Sequence, residues 1–299
     1  METKTVSVIV ATYKRDNELK KALRSLAEQA YSDFEIVLVD DNGNAEWNEK
    51  VSLIVNEFRK SYPAVALQCI VNNPNQGSAK TRNIGISAAR GKYITFLDDD
   101  DVYLPEKLAR QVKFMQDEGC DYSVTDLYLY NENEKLIDKR IRSYIRDTSA
   151  SALLSYHLKY HLTGTDTMMF RKEYLVEIGG FAPIDVGDEF YLMQRAIDGN
   201  GKFGYLPGSD IKAYVHTGEN AGVSSGEGKI QGENALYEYK KSFFNRLSAP
   251  EIRYIKMRHY AVLAFAYVRM RKYFRTFKYA VMSFFTAPVS FFKMILGKY

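Results

Sequence analysis

Four consecutive carboxylates, Asp98, Asp99, Asp100 and Asp101, follow the apolar run YITFL at residues 93–97. Adjacent carboxylates repel one another, and taking them out of water raises their pKa values unless a counter-charge compensates. A divalent cation is the natural counter-charge. Magnesium takes one or two protein carboxylates and completes its octahedron with water and phosphate oxygens. On an extended backbone Asp98 and Asp100 point to one side, and Asp99 and Asp101 to the other, so no single ion faces all four. The plain alternative is a solvated acidic loop that ends a strand. The position directly after a buried strand favours a site. Two further polar clusters also follow apolar runs: Thr12-Tyr13-Lys14-Arg15 after residues 5–11, and Asp40-Asp41-Asn42-Gly43 after residues 36–39.

These clusters need a scaffold that brings them together. Residues 5–11, 36–39, 65–71 and 93–97 read as buried strands, apolar runs without alternation. Between them lie helical stripes: Leu19, Ala22, Leu23, Leu26 and Ala30 behind an Asp16 or Asn17 cap, then Trp47, Val51, Ile54, Val55 and Phe58. A third helix is expected over 78–90, with Gly91 as its C-cap, and a fourth after Pro105, carrying Leu108, Val112 and Met115. Strand and helix alternating in this way mean right-handed βαβ units and a mostly parallel sheet, in which ligands bind at the carboxyl ends of the strands. All three clusters sit at such ends, so they should converge. Further on, 122–130 and 165–170 read as strands and 131–150 as an exposed hairpin or loop. Asp188 opens a helix over 188–197, residues 211–215 form a strand ending at His216, and the Gly- and Ser-rich 217–229 reads as a mobile loop over the site. The remainder is helical.

Composition narrows the chemistry. A chain of 299 residues holds one large α/β domain, or one with an appendage. Two cysteines, Cys69 and Cys120, make neither a disulfide framework nor a cysteine-rich metal site, and read as buried structural thiols. The first strand is not followed by G-x-G-x-x-G, and P-loop, HExxH and paired CxxC motifs are missing. A phosphate site built on a cation is what remains. The N-terminal residues lack the cationic start and apolar run of a signal peptide, so a cytoplasmic protein is the expectation.

Three ordered stretches, VSVIVATYKR, FEIVLVDDNG and NQGSAKTRNIGISAARGKYITFLDDDD, the last followed by Pro105, resemble the inverting family 2 glycosyltransferases of the GT-A fold. The likeness covers residues 6–216 and is nearest to enzymes that build bacterial polysaccharides and cell-surface glycans. It implies an α/β GT-A domain over 1–225, with a nucleotide-binding half at 1–120 and an acceptor half at 121–225. Residues 226–299 then form a C-terminal helical extension. By the same resemblance Thr12 and Tyr13 line the base pocket, Asp41 accepts from a pyrimidine ring, and Arg82 reaches the nucleotide or its phosphates. Asp98 and Asp99 lie near the ribose and sugar, Asp100 binds Mn2+ or Mg2+, and His216 sits near the metal and diphosphate. RKEYLVEIGGF resembles the segment before the acceptor site, and GDEFYLMQR the segment that supplies the catalytic base. The register there admits Glu189 or Asp188. The family usually carries aspartate at this position, and Glu189 is the preferred choice.

Each role has a plainer counterpart. Asp188 could cap its helix, Arg82 could be a surface helix residue, Tyr13 could simply pack, and His216 could be structural. The implied activity is metal-dependent transfer of a sugar from a nucleotide-diphosphate donor, a UDP-sugar, to a hydroxyl of a glycan or lipid-linked acceptor. The alternatives are a catalytically idle nucleotide-sugar-binding or scaffolding member and a sugar-phosphate nucleotidyltransferase, although the latter usually has a glycine-rich N-terminal loop. Charge is unevenly spread. From Glu251 onward ten Lys and Arg face a single acid, an excess of nine positive charges, which leaves −5 on the preceding chain against an overall +4. Basic residues and aromatics interleave over 253–299. The longest charge-free run there, 279–292, is 14 residues and contains Pro288, short of the roughly 20 needed to span a bilayer. Peripheral contact with an anionic membrane is the expectation, at the inner face of the cell membrane. A packed helical appendage or a dimer contact are the alternatives, and an oligomer is compatible with either. No motif supports nucleic-acid binding.

Overall fold

The computed structural model describes residues 4–184, 187–215 and 226–296. These fall into two compact units. The first takes the residues up to Thr148 together with Leu162–Val215; the second takes Ser149–His161 and the described residues from Gly226 onward. The helix α5 (Ala150–Tyr160) is thus an excursion from the first unit into the second.

In the first unit strand and helix alternate as β1 (Val6–Thr12), α1 (Asn17–Ala27), β2 (Phe34–Asp40), α2 (Ala45–Ser61), β3 (Ala66–Val71), α3 (Ser78–Ala88) and β4 (Tyr93–Asp98). There follow β5 (Val102–Tyr103), α4 (Lys107–Glu118), β6 (Tyr122–Thr125), β7 (Leu127–Tyr130) and β8 (Leu136–Arg140). After α5 come β9 (Met169–Arg171), α6 (Lys172–Glu177), α7 (Asp188–Asp198), β10 (Phe203–Leu206) and β11 (Ile211–Tyr214). Seven strands form one sheet in the order β10-β6-β9-β4-β1-β2-β3, and a smaller sheet runs β5-β11-β7-β8. In the large sheet, among the described residues, β9 alone runs antiparallel to its neighbours. This is the mostly parallel, helix-flanked sheet that the alternation implied.

β1 and β2 are buried almost end to end, as expected of parallel strands covered on both faces. On one face Val8, Val10, Ile36 and Leu38 pack with Leu19 and Leu23 of α1, Val51 and Phe58 of α2 and Leu108 and Val112 of α4. At the far end of the sheet from the acidic run, the buried Glu35 of β2 accepts from Ser7 Oγ at 2.7 Å and from Arg90 Nε at 2.9 Å. Burial pushes the Glu35 carboxyl up, but the hydrogen bonds from Arg90 and Ser7 outweigh it and hold Glu35 below the usual range.

Several local expectations are corrected. Helix α3 ends at Ala88, with Ala89 extended, so Gly91 is no helix cap. Gly91 is required for another reason: a Cβ there would lie 2.4 Å from the Ser7 nitrogen and 2.6 Å from the Val6 carbonyl carbon. The expected strand over 122–130 breaks at Asp126, where the chain leaves the large sheet for the small one. The buried Asp126 carboxylate makes this corner by accepting from Arg142 N at 2.9 Å, Tyr205 OH at 2.7 Å and Gly208 N at 2.8 Å. The expected strand over 165–170 begins instead with a 3-10 turn at Thr165–Thr167. Of the expected loop at 217–229, residues 217–225 lie outside the described residues and 226–229 already belong to α8 (Gly226–Lys241). Cys120 is buried, Cys69 is half-buried, and both are free thiols. Burial pushes each up to about 11.

The second unit adds α9 (Ala249–Arg269), α10 (Tyr273–Thr286) and α11 (Pro288–Ile295) to α5 and α8. A capping box starts α9, with Ser248 N donating to Glu251 Oε2 at 2.9 Å. No helix of the described residues is long and apolar enough to cross a membrane.

Because the atoms against Gly91 are backbone of β1, they cannot rotate aside. Gly91→Ala should lower stability by about 1–3 kcal/mol, read as a lower urea midpoint. An unchanged midpoint would show that β1 yields at no cost.

Candidate active site

The strand register settles where the three polar clusters lie. Thr12 pairs with Asp40 across β1 and β2, and Ala11 with Asp98 across β1 and β4. The segments after all three strands therefore leave the same edge of the sheet, as the strand-end argument required.

The acids there are held by several partners. Asp99 accepts from Thr12 Oγ1 at 2.7 Å and Tyr13 N at 3.1 Å, which ties the acidic run to the segment after β1. Burial and the neighbouring Asp100 push Asp99 up to about 7, against the pull of those two hydrogen bonds. Asp100 pairs with Arg15 Nη2 at 2.7 Å. Tyr13 is exposed. Asp41 is buried under the loop that leads into α3, accepting from Asn72 Nδ2 and Gln76 N at 2.8 Å each and from Gly77 N at 3.0 Å. Gly77, at φ 80°, turns the chain so that its N–H points at this carboxylate. A carboxylate has about four acceptor sites, and three of those on Asp41 are taken among the described residues.

Asp98, Asp101 and Asp166 form a tighter group. Each offers one carboxylate oxygen, and the three oxygens lie within 4.8 Å of one another. Asp166 Oδ1 also accepts from the Asp98 backbone N at 2.7 Å, and Asp101 Oδ1 from Tyr214 N at 2.8 Å. Burial, then the charge of Asp98, pushes Asp166 up to about 7. Burial, then Asp166, holds Asp101 well above the carboxylate range. Their proximity couples the two, each raised by burial more than by its neighbours. An all-oxygen set carrying surplus negative charge suits a hard divalent cation, and this group fits one.

Beneath it lies Lys107, buried at the start of α4. Its Nζ donates to Thr95 Oγ1 at 2.6 Å and Tyr103 OH at 2.8 Å. Burial brings this lysine down to about 7, with Asp166 acting in the other direction.

Arg82 joins the acidic end of β4 to the start of α7. Its Nη2 donates to Asp98 Oδ1 at 2.6 Å and its Nη1 to Asp188 Oδ2 at 2.7 Å. The guanidinium lies over the Phe181 ring, 5.4 Å from its centroid. Burial pulls the Arg82 pKa down, but Asp98 and Asp188 more than offset this and hold it above its ordinary value. Arg82 is therefore no surface residue. The neighbouring Asn83 clamps the same turn: its Oδ1 accepts from Phe181 N and its Nδ2 donates to Phe181 O, both at 2.9 Å. From the other side Arg195 of α7 donates to the carbonyls of Gly179 and Gly180 at 2.9 Å each.

The N-cap of α7 is Gly187, so Asp188 does not cap the helix. Asp188 is the first helical residue, buried, and accepts from Ser78 Oγ at 2.9 Å as well as from Arg82. Glu189, half-buried beside it, is different. Burial and the Asp188 charge push it up to about 7, near the value that suits a general base at neutral pH. His216 lies outside the described residues.

The sequence reading missed Asp166 and Lys107 as parts of this arrangement and placed Arg15 in a converging cluster without giving it a partner. The usable signals were a lone acid in the uncharged run TGTDTMMF and a lysine in phase with Leu108, Gln111 and Met115 of the buried helix face.

The model of glycosyl transferase family 2 matches residues 7–179, more than half of the 299-residue chain. The chain belongs to this family, and its sheet is of the GT-A type. An uncharacterized glycosyltransferase of Methanocaldococcus jannaschii, MJ1057, is 28% identical over 223 residues, which cover 74% of each chain. The Escherichia coli UDP-Glc:alpha-D-GlcNAc-diphosphoundecaprenol beta-1,3-glucosyltransferase WfaP is 32% identical over 125 residues, 42% of this chain and 46% of WfaP. Among solved structures, Staphylococcus aureus TarS 1–349 in complex with UDP-GlcNAc aligns with a TM-score of 0.60 at 18% identity, over 99% of this chain and 93% of that one. The mannosyltransferase PcManGT of Pyrobaculum calidifontis, in complex with GDP-Man and Mn2+, aligns with a TM-score of 0.61 at 17% identity, over 94% and 74%. At such identities the structural likeness speaks for the fold.

Removing the cation between two acids should be costly. Arg82→Met is expected to destabilise the protein by about 3 kcal/mol. Adding Asp188→Asn should recover part of the loss, a coupling that a double-mutant cycle of urea midpoints measures. Strict additivity would mean that the pair does not interact energetically.

Proposed function

We propose that this protein is a metal-dependent, inverting glycosyltransferase. It moves a sugar from a nucleotide-diphosphate donor, a UDP-sugar, to a hydroxyl of a glycan or lipid-linked acceptor in cell-surface polysaccharide synthesis. The observation that carries the reading is the Arg82 bridge. One guanidinium holds an acid of the cation-fitting end of β4 and, beside Glu189, an acid of α7. A donor-side acidic group and a proton acceptor thus belong to one ion-paired structure. The complexes of TarS with UDP-GlcNAc and of PcManGT with GDP-Man and Mn2+, and the similarity to WfaP, a glucosyltransferase acting on a GlcNAc-diphosphoundecaprenol, support the same reaction class.

In this reading Glu189 takes the proton from an acceptor hydroxyl, whose oxygen attacks the anomeric carbon from the face opposite the diphosphate. The diphosphate leaves with the bonding electron pair, and one displacement inverts the configuration. Asp188, held in place by its ion pair with Arg82, supplies the neighbouring charge that raises the basicity of Glu189. Thr12, Tyr13 and Asp41 would hold the nucleoside, and Asp98 and Asp99 the ribose and sugar. Mn2+ or Mg2+, when bound, supplies charge neutralisation at the departing diphosphate. Asp100 and His216, the pair implied by family resemblance, would hold it, with Asp100 exchanging its ion pair with Arg15 for the cation. The convergence of Asp98, Asp101 and Asp166 supports a second arrangement, in which the ion belongs to that group.

Glu189→Gln should lower turnover by about 10²–10⁴-fold while leaving donor binding nearly unchanged. If Asp188→Asn alone did this, Asp188 would be the base. A base must be deprotonated, so kcat/KM of the wild type should rise with pH through about 7, where Glu189 titrates. Asp188→Asn removes a charge that raises Glu189, so the acid limb should move to lower pH; a fixed limb would assign it to another group.

Asp100→Asn should abolish metal-dependent turnover. Retained turnover in Asp100→Asn, together with loss in Asp166→Asn, would assign the ion to the Asp98, Asp101 and Asp166 group.

A further inference from the structure

The second unit carries a surface that sugar transfer does not explain. Helix α10 turns one side to α9: Ser283 donates to the Met257 carbonyl at 2.8 Å, and Tyr279 stacks on Tyr267 with ring centroids 5.5 Å apart. Among the described residues its other side presents exposed aromatics. Phe274 is 85% exposed, Phe277 71% and Phe285 74%. The spacing continues past the break at Pro288, with Val289 72%, Phe292 56% and Ile295 62% exposed on α11. Phe277 and Phe285 stand three and eleven residues after Phe274, close to whole numbers of turns, so the three share one face of α10; on α11 Val289, Phe292 and Ile295 recur every three residues.

Charge decides what could cover this stripe. Beside it stand the exposed Arg271, Lys278 and Lys293. From Ile252 to the end of the chain there is no Asp or Glu at all. In a two-fold pairing of copies through this stripe, each copy would meet the same basic residues of the other, and neither would supply an acid from these helices. An anionic bilayer satisfies both features. Phenylalanines enter the boundary between headgroups and acyl chains, and Lys and Arg meet the lipid phosphates. The helices are too short and too charged to span.

We infer that the stripe Phe274, Phe277, Phe285, Val289 and Phe292, flanked by Arg271, Lys278 and Lys293, docks the protein on an anionic lipid surface. Binding through this stripe is independent of sugar transfer. It can be tested with the full chain and sedimentation with vesicles of phosphatidylcholine alone or with 30% phosphatidylglycerol. The wild type should bind the anionic vesicles at least tenfold more tightly than the neutral ones, and added salt should weaken the binding. Phe274→Ser with Phe277→Ser, and separately Arg271→Glu with Lys278→Glu, should each reduce it at least tenfold. All four positions are exposed, so the thermal unfolding midpoint should stay put and act as the folding control. No binding by the wild type, or equal binding by folded variants, overturns the inference. So does a wild-type dimer that the Phe variant converts to monomer without any loss of vesicle binding, since the stripe would then be a contact between copies. Adventitious ionic attraction, with the charge variant losing binding and the Phe variant retaining it, overturns it as well.

Discussion

The arrangement at the sheet edge depends on one guanidinium. Arg82 stands between Asp98 at the end of β4 and Asp188 at the start of α7, acids 90 positions apart in the chain. Without it two carboxylates, one of them buried, would lack their common counter-charge, and burial without a counter-charge is what acids tolerate least. Arg82 can reach both because α3 is fixed at each side. Asp41 gathers the loop ahead of α3, and Asn83 binds the Gly179-Gly180-Phe181 turn that precedes α7. The ion pair is thus held by hydrogen bonds that fix α3 at both of its sides.

Around that pair the acids divide by environment. Asp98 and Asp188 are compensated by Arg82. Asp99, Asp166 and Glu189 are pushed up to about 7 by burial and like charge. Carboxylates raised in this way by burial and by one another cluster where a proton is taken up or a cation is held. Lys107, lowered to about 7 beneath the same cluster, shows that the region is desolvated from below as well.

Much of the fold was legible because parallel strands buried on both faces leave unbroken apolar runs. β1, β2 and β4 announce themselves in this way, and the polar clusters after them had to share one edge. Asp41, Asp98 and Asp99 were singled out by that rule together with the family likeness. What stayed hidden rests on single polar residues inside apolar context. Asp126 turns a continuous strand pattern into a corner between two sheets. Asp166 sits in a 3-10 turn where the apolar pattern reads as strand, and Gly91 is needed for a backbone approach that only the packed sheet creates. The partners of Arg82 could not be read either, since α3 shows that it is a helix and not which acids its side chain meets. In the second unit composition gave the excess of positive charge, but the sorting of aromatics into an inner and an outer side of α10 came from packing on α9.

The central claim is that the acidic end of β4 binds a nucleotide diphosphate through a divalent cation. Calorimetric titration of UDP into the protein, with and without Mn2+, examines it directly. Mn2+ should tighten UDP binding at least tenfold, and UDP should tighten Mn2+ binding by the same factor, as linkage requires. Equal UDP affinity with and without the metal would contradict the account.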